Sequence, residues 1–116
     1  MSYLEVAVSA VPTANKDRYI QEAGEAAAAF MAHGAIAVTE NWGDTIPKGE
    51  RTDFHKAVQR QENETIVVST ILWPSKDARD AGWPKVMEDP AMQGHGDLFD
   101  MSRMIFGSFE TIVDKR

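Results

Sequence analysis

Two glutamates at opposite ends of the chain are the first candidates for acid–base chemistry. Glu5 lies near the start of the first apolar run and Glu110 near the end of the last one. If these runs form neighbouring antiparallel strands, both carboxylates lie on one face at the same end of the sheet. Two carboxylates held close beside an apolar wall disfavour double ionisation, so one keeps a proton and can act as acid or base. The alternative is two hydrated carboxylates without a catalytic role, paired with Arg103 or Lys115.

Side chains that could bind a ligand alternate along the same predicted strands. They combine aromatic rings with hydroxyl and carboxylate groups, and they are Trp73, Ser69, Ser108, Glu40 and Trp42. The period of two along a strand places them on one face together with Glu5. Trp42 has an alternative role as an aromatic anchor in a protein interface, where such residues are common.

The three histidines do not predict a metal site. His33 falls at the predicted end of the first helix, where a histidine favours the helix dipole, with a general-base role as the alternative. His55 and His95 lie in polar segments without a second ligand at helical or hairpin spacing. Since phosphate-binding loops and dinucleotide fingerprints are also absent, we expect neither a metal nor a cofactor.

Hydrophobic periodicity divides the chain into six main elements. The predicted elements are strand 3–11, helix 15–33, strand 35–42, strand 65–73, helix 76–87 and strand 103–113. Asn15 and Ser75 are the predicted N-caps, and Gly34 is a predicted left-handed cap. Pro84 predicts a break or kink in the second helix, because proline lacks a donor and crowds the preceding turn.

The order β-α-β-β-α-β predicts a ferredoxin-like fold of the α+β class. Right-handed crossovers give a four-stranded antiparallel sheet of order 4-1-3-2 with both helices on one face. The length of 116 residues allows a single domain, 1–116. We call the sheet face that the two helices pack against the helix face and the opposite one the open face.

A set of large apolar side chains alternates along the strands at positions expected on the open face, and this set predicts a homodimer. The set is Ile36, Val38, Trp42, Val67, Ile71, Trp73, Met104, Phe106 and Ile112. So large an apolar patch is unusual in a monomer, and a second copy related by a two-fold axis buries it. The alternative is that segments 43–64 and 89–100 fold over this face.

Composition and charge exclude several classes of partner. The 18 acidic side chains exceed the 12 basic ones, giving a net charge of -6 without a basic cluster. Nucleic acid and anionic membranes are therefore not expected as partners. The chain has no cysteine, no apolar run long enough to cross a bilayer, and no secretion signal at its start, so we expect a cytoplasmic protein.

Several short motifs resemble a bacterial family over nearly the whole chain. They are Val11-Pro12, His33-Gly34-Ala35, Trp42-Gly43-Asp44 with Pro47, Glu64-Thr65-Ile66-Val67, Trp73-Pro74-Ser75-Lys76, Val86-Met87-Glu88-Asp89-Pro90 and Arg103-Met104-Ile105-Phe106-Gly107 with Phe109-Glu110. In these motifs the chain resembles the YbaA-like proteins, a domain-of-unknown-function family. The resemblance implies a dimeric α/β barrel and supplies no catalytic residue.

The functional expectation is therefore a homodimer that binds a small molecule between the sheet and its partner. By analogy with similar barrels, such a homodimer could be a cofactor-independent enzyme of the oxygenase or isomerase kind. Whether the protein is an enzyme stays open. The alternative is a non-catalytic binding or stress-related structural protein whose barrel is filled by side chains.

Overall fold

The computed structural model describes all residues, Met1 to Arg116, and confirms the α+β class. The strands are β1 (Tyr3–Pro12), β2 (Ala37–Trp42), β3 (Glu64–Trp73) and β4 (Ile105–Glu110), and the helices are α1 (Lys16–Ala32), α2 (Phe54–Ala57) and α3 (Lys76–Glu88). All strand pairs are antiparallel, and the order across the sheet is β2-β3-β1-β4, which is 4-1-3-2 when counted from the other edge. No helix is both long and apolar enough to cross a bilayer.

The helix ends follow the local sequence signals. Gly34, with φ of +114°, ends α1, and the amide of Ala35 donates to the carbonyl of Phe30 across this turn. The Ser75 hydroxyl accepts from the amide of Ala78 at 3.1 Å and caps α3. Asn15 also precedes its helix, but its side chain does not cap it and instead donates to the carbonyl of Leu98 at 3.0 Å.

The predicted break at Pro84 is wrong, since α3 continues through this residue to Glu88. Packing on both sides of the proline accounts for the continuity. Trp83 lies 5.2 Å from the ring of Phe30, and Val86 is fully buried. These tertiary contacts outweigh the hydrogen bond that the proline cannot donate.

The assignment of side chains to the two sheet faces is also wrong, because the faces are exchanged. Ile71 and Trp73 pack with Phe30 of α1 and Val86 of α3, and Val67 packs with Tyr19, so these positions lie on the helix face. The strand register extends this result to the other predicted open-face residues that lie within strands, namely Val38, Trp42, Phe106, Glu5, Ser9, Glu40, Ser69, Ser108 and Glu110. Alternation separates two sets of side chains, but both sets here contain apolar residues, so the pattern does not show which set the helices cover.

The open face carries the complementary set of strand residues and is partly covered by the long segment 43–63. Val58 of this segment is completely buried against Val8, Ala10 and Ile66. Folding of segment 43–64 over the open face was part of the predicted alternative to a homodimer. The segment covers the part of the face that holds Val8, Ala10 and Ile66. On the edge strand β4, Ile105, which lies opposite Val8, and Phe109, which lies opposite Leu4, stay exposed.

Candidate functional site

A hydrogen-bonded group of three side chains joins α1 to the sheet. The Tyr19 hydroxyl donates to Oε1 of Glu40 at 2.6 Å, and the Ser69 hydroxyl donates to the same oxygen at 2.6 Å. Glu40 and Ser69 are register partners on β2 and β3, so the sheet brings them together. Oε2 of Glu40 has no hydrogen-bond partner within the chain and stays free to accept one.

Tyr19 is held between aromatic neighbours beneath α1. Its ring centroid lies 6.2 Å from those of Trp42 and Phe99, and the residue is buried. Burial, reinforced by the hydrogen bond to Glu40, raises the pKa of Tyr19 above its usual value. The phenol therefore stays protonated and serves as a fixed donor.

A cavity of about 310 Å3 opens beside this group between α1 and β2. Its walls are mainly apolar and small because α1 presents Ala23, Gly24 and Ala27 to the space. Trp42 forms one side, and Nζ of Lys16 lies 5.5 Å from the Trp42 ring centroid. Small side chains on this helix keep the space between helix and sheet open.

A second cavity, of about 190 Å3, lies on the other side of Tyr19 between α1 and the segment 92–101. Tyr19, Ala23 and Glu40 line both cavities. Glu40, an exposed residue, thus lies where the two spaces meet. An accepting oxygen beside a protonated phenol can bind a hydroxyl or ammonium group, or take a proton from a bound molecule.

Glu5 occupies a different environment, in which its carboxylate is enclosed by donors. Its Oε1 accepts from Nε1 of Trp73 at 2.8 Å and from Nε of Arg79 at 3.2 Å, and its Oε2 accepts from the Ser108 hydroxyl at 3.3 Å. The residue is 1% exposed. None of the five main cavities is lined by Glu5 or Glu110, so the structure gives a ligand no access to this carboxylate.

The predicted position of Glu5 and Glu110 on the open face is wrong, because both side chains belong to the helix face. The register sets Ser108 opposite Glu5, so Glu110 lies two residues further along β4 as a diagonal neighbour of Glu5. Glu110 is exposed, and its side chain has no hydrogen-bond or ion-pair partner. Glu5 pairs with a cation, Arg79, rather than with a second carboxylate.

The predicted ligand-binding residues therefore separate into two groups. Glu40 and Trp42 line the cavity under α1, and Ser69 hydrogen-bonds to Glu40, whereas Trp73 and Ser108 contact Glu5. Tyr19 is not among the predicted site residues, although its position carries one signal. A tyrosine on the apolar stripe of a helix must satisfy its hydroxyl when it is buried, and a strand carboxylate is a suitable acceptor.

The histidines all hydrogen-bond within the chain. His33 follows α1, as predicted for a residue at the helix end, and its Nε2 lies 3.1 Å from Oδ2 of Asp89. Nε2 of His55 lies 3.1 Å from the carbonyl of Ile46. His95 contacts Glu22 and the carbonyl of Ala91. No group of three or more histidine, aspartate or glutamate side chains has the geometry of a metal site.

Comparison with known proteins assigns the family. The family described as "Protein of unknown function (DUF1428)" matches residues 2–106. The chain belongs to this family. It is 44% identical over 117 aligned residues to proteins named "Uncharacterized protein YbaA" from Escherichia coli K12, Escherichia coli O157:H7 and Shigella flexneri. In each case the alignment covers 99% of this chain and 100% of the relative, so the resemblance to YbaA-like proteins is confirmed along the chain.

Proposed function

We propose that this member of the DUF1428 family binds a small, mostly apolar molecule in the cavity between α1 and β2. The observation that carries the proposal is that Glu40 lines both cavities and has no partner at Oε2, while a phenol and a serine hydroxyl donate to its Oε1. Binding sites typically combine an apolar lining with a few fixed polar groups, as this cavity does.

The donor set defines the chemistry of the ligand. The hydroxyl groups of Tyr19 and Ser69 already donate to Oε1 of Glu40. The polar group left for the ligand is therefore Oε2 of Glu40, which is an acceptor. The ligand therefore has an apolar body and at least one hydroxyl or ammonium donor that reaches Oε2. Its body packs against the small side chains of α1 and against Trp42.

Affinity for a matched pair of probes tests this proposal. 2-Naphthol carries an aromatic body and a hydroxyl donor, whereas 2-methoxynaphthalene lacks the donor. We expect the wild-type protein to prefer 2-naphthol and Glu40→Gln to weaken 2-naphthol binding about tenfold, with a smaller effect on 2-methoxynaphthalene. Glu50→Gln makes the same change in charge on an exposed residue outside the cavity and should leave both affinities unchanged. Equal loss of both probes, or no binding of either, contradicts the proposal.

We also propose that the protein is a ferredoxin-like homodimer of the dimeric α/β-barrel type, joined through its open faces. The part of the open face outside segment 43–63 presents apolar and hydroxyl side chains without a charge, namely Leu4, Val6, Val68, Thr70, Leu72, Ile105 and Phe109. The absence of charge on this part of the face lets two chains of net charge -6 approach each other there with little local repulsion. The same net charge supports the expectation that neither nucleic acid nor an anionic membrane is a partner.

A further inference from the structure

The segment 93–100 lies across the smaller cavity and is tied to the start of α1 by polar contacts. Nδ1 of His95 lies 2.5 Å from Oε1 of Glu22, and Nη2 of Arg18 pairs with Asp97. The Asn15 side chain donates to the carbonyl of Leu98 at 3.0 Å. All three partners belong to the first turns of α1 or directly precede it.

The inner side of this segment is apolar and forms a wall of the cavity. Leu98 is 3% exposed and packs with Tyr19, Val11 and Val67, and Phe99 packs against the same cluster. His95, Leu98 and Phe99 line the cavity that Tyr19 and Glu40 also line. Moving the segment away from α1 would open this side of the site to solvent.

The contacts of His95 specify its protonation state. Nδ1 faces a carboxylate and Nε2 lies 2.7 Å from the carbonyl of Ala91, so both neighbours accept and neither can donate. Both hydrogen bonds form only when both ring nitrogens carry a proton, that is, when the imidazole is charged. A neutral ring must turn one lone pair toward an acceptor.

Charged groups around His95 favour its charged form. Glu22 and Glu25 of α1 face it, and Arg18, which also pairs with Glu22, is the nearby cation. On the segment itself the charged neighbour is Asp97, bound to Arg18. The hydrogen bond to the Ala91 carbonyl and the one to Glu22 raise the pKa of His95 above its usual value.

We propose that segment 93–100 is a proton-controlled lid over the cavity, with His95 and Glu22 as its latch. The lid covers the smaller cavity, and this inference rests on the proposed binding function of Glu40, which lines that cavity as well as the larger one. A raised folded pKa means that the stabilising contribution of the latch is fully present below the unfolded histidine pKa of about 6.5 and is lost as pH rises through the folded value. The lid is closed in mild acid and opens more often as pH rises.

Amide hydrogen exchange at Leu98 tests the lid without any ligand. The Leu98 amide donates to the carbonyl of His95 within the segment. We expect its protection factor, corrected for the intrinsic pH dependence of exchange, to fall about tenfold between pH 5.5 and 8.0.

In His95→Asn the protection factor should be low and independent of pH. Asp97→Asn removes the contact to Arg18 and should lower protection at both pH values while keeping the pH dependence. His33→Asn removes a histidine outside the segment and should behave like the wild type.

The association rate of 2-naphthol separates this inference from the proposed function. If 2-naphthol reaches Glu40 through the smaller cavity that the lid covers, its association is faster at pH 8.0 than at pH 5.5 in the wild type and fast at both in His95→Asn. Leu98 protection that does not change with pH, or a pH dependence that persists in His95→Asn, overturns the lid even when 2-naphthol binds. Absent binding of 2-naphthol together with pH-dependent protection contradicts the proposed function instead.

Discussion

Glu5 of β1 and Arg79 of α3 form an ion pair in which the glutamate side chain has no exposed surface. Nε of Arg79 lies 3.2 Å from Oε1 of Glu5, and the guanidinium lies 5.3 Å from the ring centroid of Trp83. The Trp73 indole and the Ser108 hydroxyl complete the contacts of the carboxylate. This arrangement fixes α3 on the sheet.

Removal of the Arg79 guanidinium should therefore lower the free energy of unfolding. Arg79→Met leaves a buried carboxylate without its counter-charge, and we expect a loss of about 3 kcal/mol in the free energy of unfolding. Urea denaturation at neutral pH measures the loss. Lys76→Met on the same helix removes the exposed pair with Asp80 and should leave the urea midpoint almost unchanged. If the two variants are equally stable, the buried pair does not stabilise the fold.

Two helical glycines should respond to alanine with opposite signs. A Cβ at Gly82 would lie 2.3 Å from the carbonyl oxygen of His33 and 2.7 Å from Cζ3 of Trp73, whereas one at Gly24 meets no atom within 4 Å. Gly82→Ala should destabilise the protein by about 2 kcal/mol through overpacking. Gly24→Ala should stabilise it by about 0.5 to 1 kcal/mol through helix propensity. Thermal denaturation of both variants decides, and a stabilised Gly82→Ala would contradict the close approach of α3 to α1.

A second ion pair should give the protein part of its sensitivity to acid. Arg103 binds Glu64 through two hydrogen bonds, of 2.7 and 2.6 Å. These bonds lower the pKa of Glu64, so the contribution to stability is fully present above the unfolded carboxyl pKa of about 4.3 and is lost as pH falls through the lower folded value. Arg103→Met should be less stable than the wild type at pH 6 and should lose less further stability below pH 4.3.

Urea midpoints across this pH range measure the effect, with Arg116→Met as the control. Arg116 pairs only with exposed Asp114, so its removal changes the net charge equally without touching Glu64. Parallel pH profiles for the wild type and Arg103→Met would show that Glu64 does not contribute to acid unfolding.

The open face should determine the oligomeric state. Val6 lies on the open face and lines a shallow apolar depression with Ile105 and Phe109. In the proposed dimer, Val6→Asp buries an unpaired charge and should give a monomer in sedimentation equilibrium at micromolar concentration. Met87→Asp places the same charge on the exposed side of α3 and should stay a dimer. A monomeric wild type, or a dimeric Val6→Asp, contradicts an interface on this face.

Local patterns were sufficient to predict the strands and two of the three helix caps, the exception being Asn15. Alternation identifies β1, and Ser75 and Gly34 satisfy the backbone groups of the helix ends in the predicted way. The continuation of α3 through Pro84 could not be predicted, because it depends on contacts of Trp83 and Val86 with other elements.

The site could be predicted only in part, because its chemistry depends on contacts that are remote in sequence. Glu40, Ser69 and Trp42 were found, since strand alternation places them on one face. The environment of Glu5 depends on Arg79, which is 74 positions away and lacks a local signal. The exchange of the two faces has the same origin, since Leu4, Val6 and Val8 make the other side of β1 equally apolar.

A crystal structure of the complex with 6-bromo-2-naphthol tests the proposed binding site most directly. The anomalous signal of bromine identifies the aromatic body, and the electron density locates the hydroxyl oxygen. We predict bromine in the cavity beneath α1, near Ala23, Ala27 or Val38, with the hydroxyl oxygen about 3 Å from Oε2 of Glu40. Bromine found only on the open face near Phe109, or no ordered bromine at a saturating concentration, would contradict a binding site at Glu40.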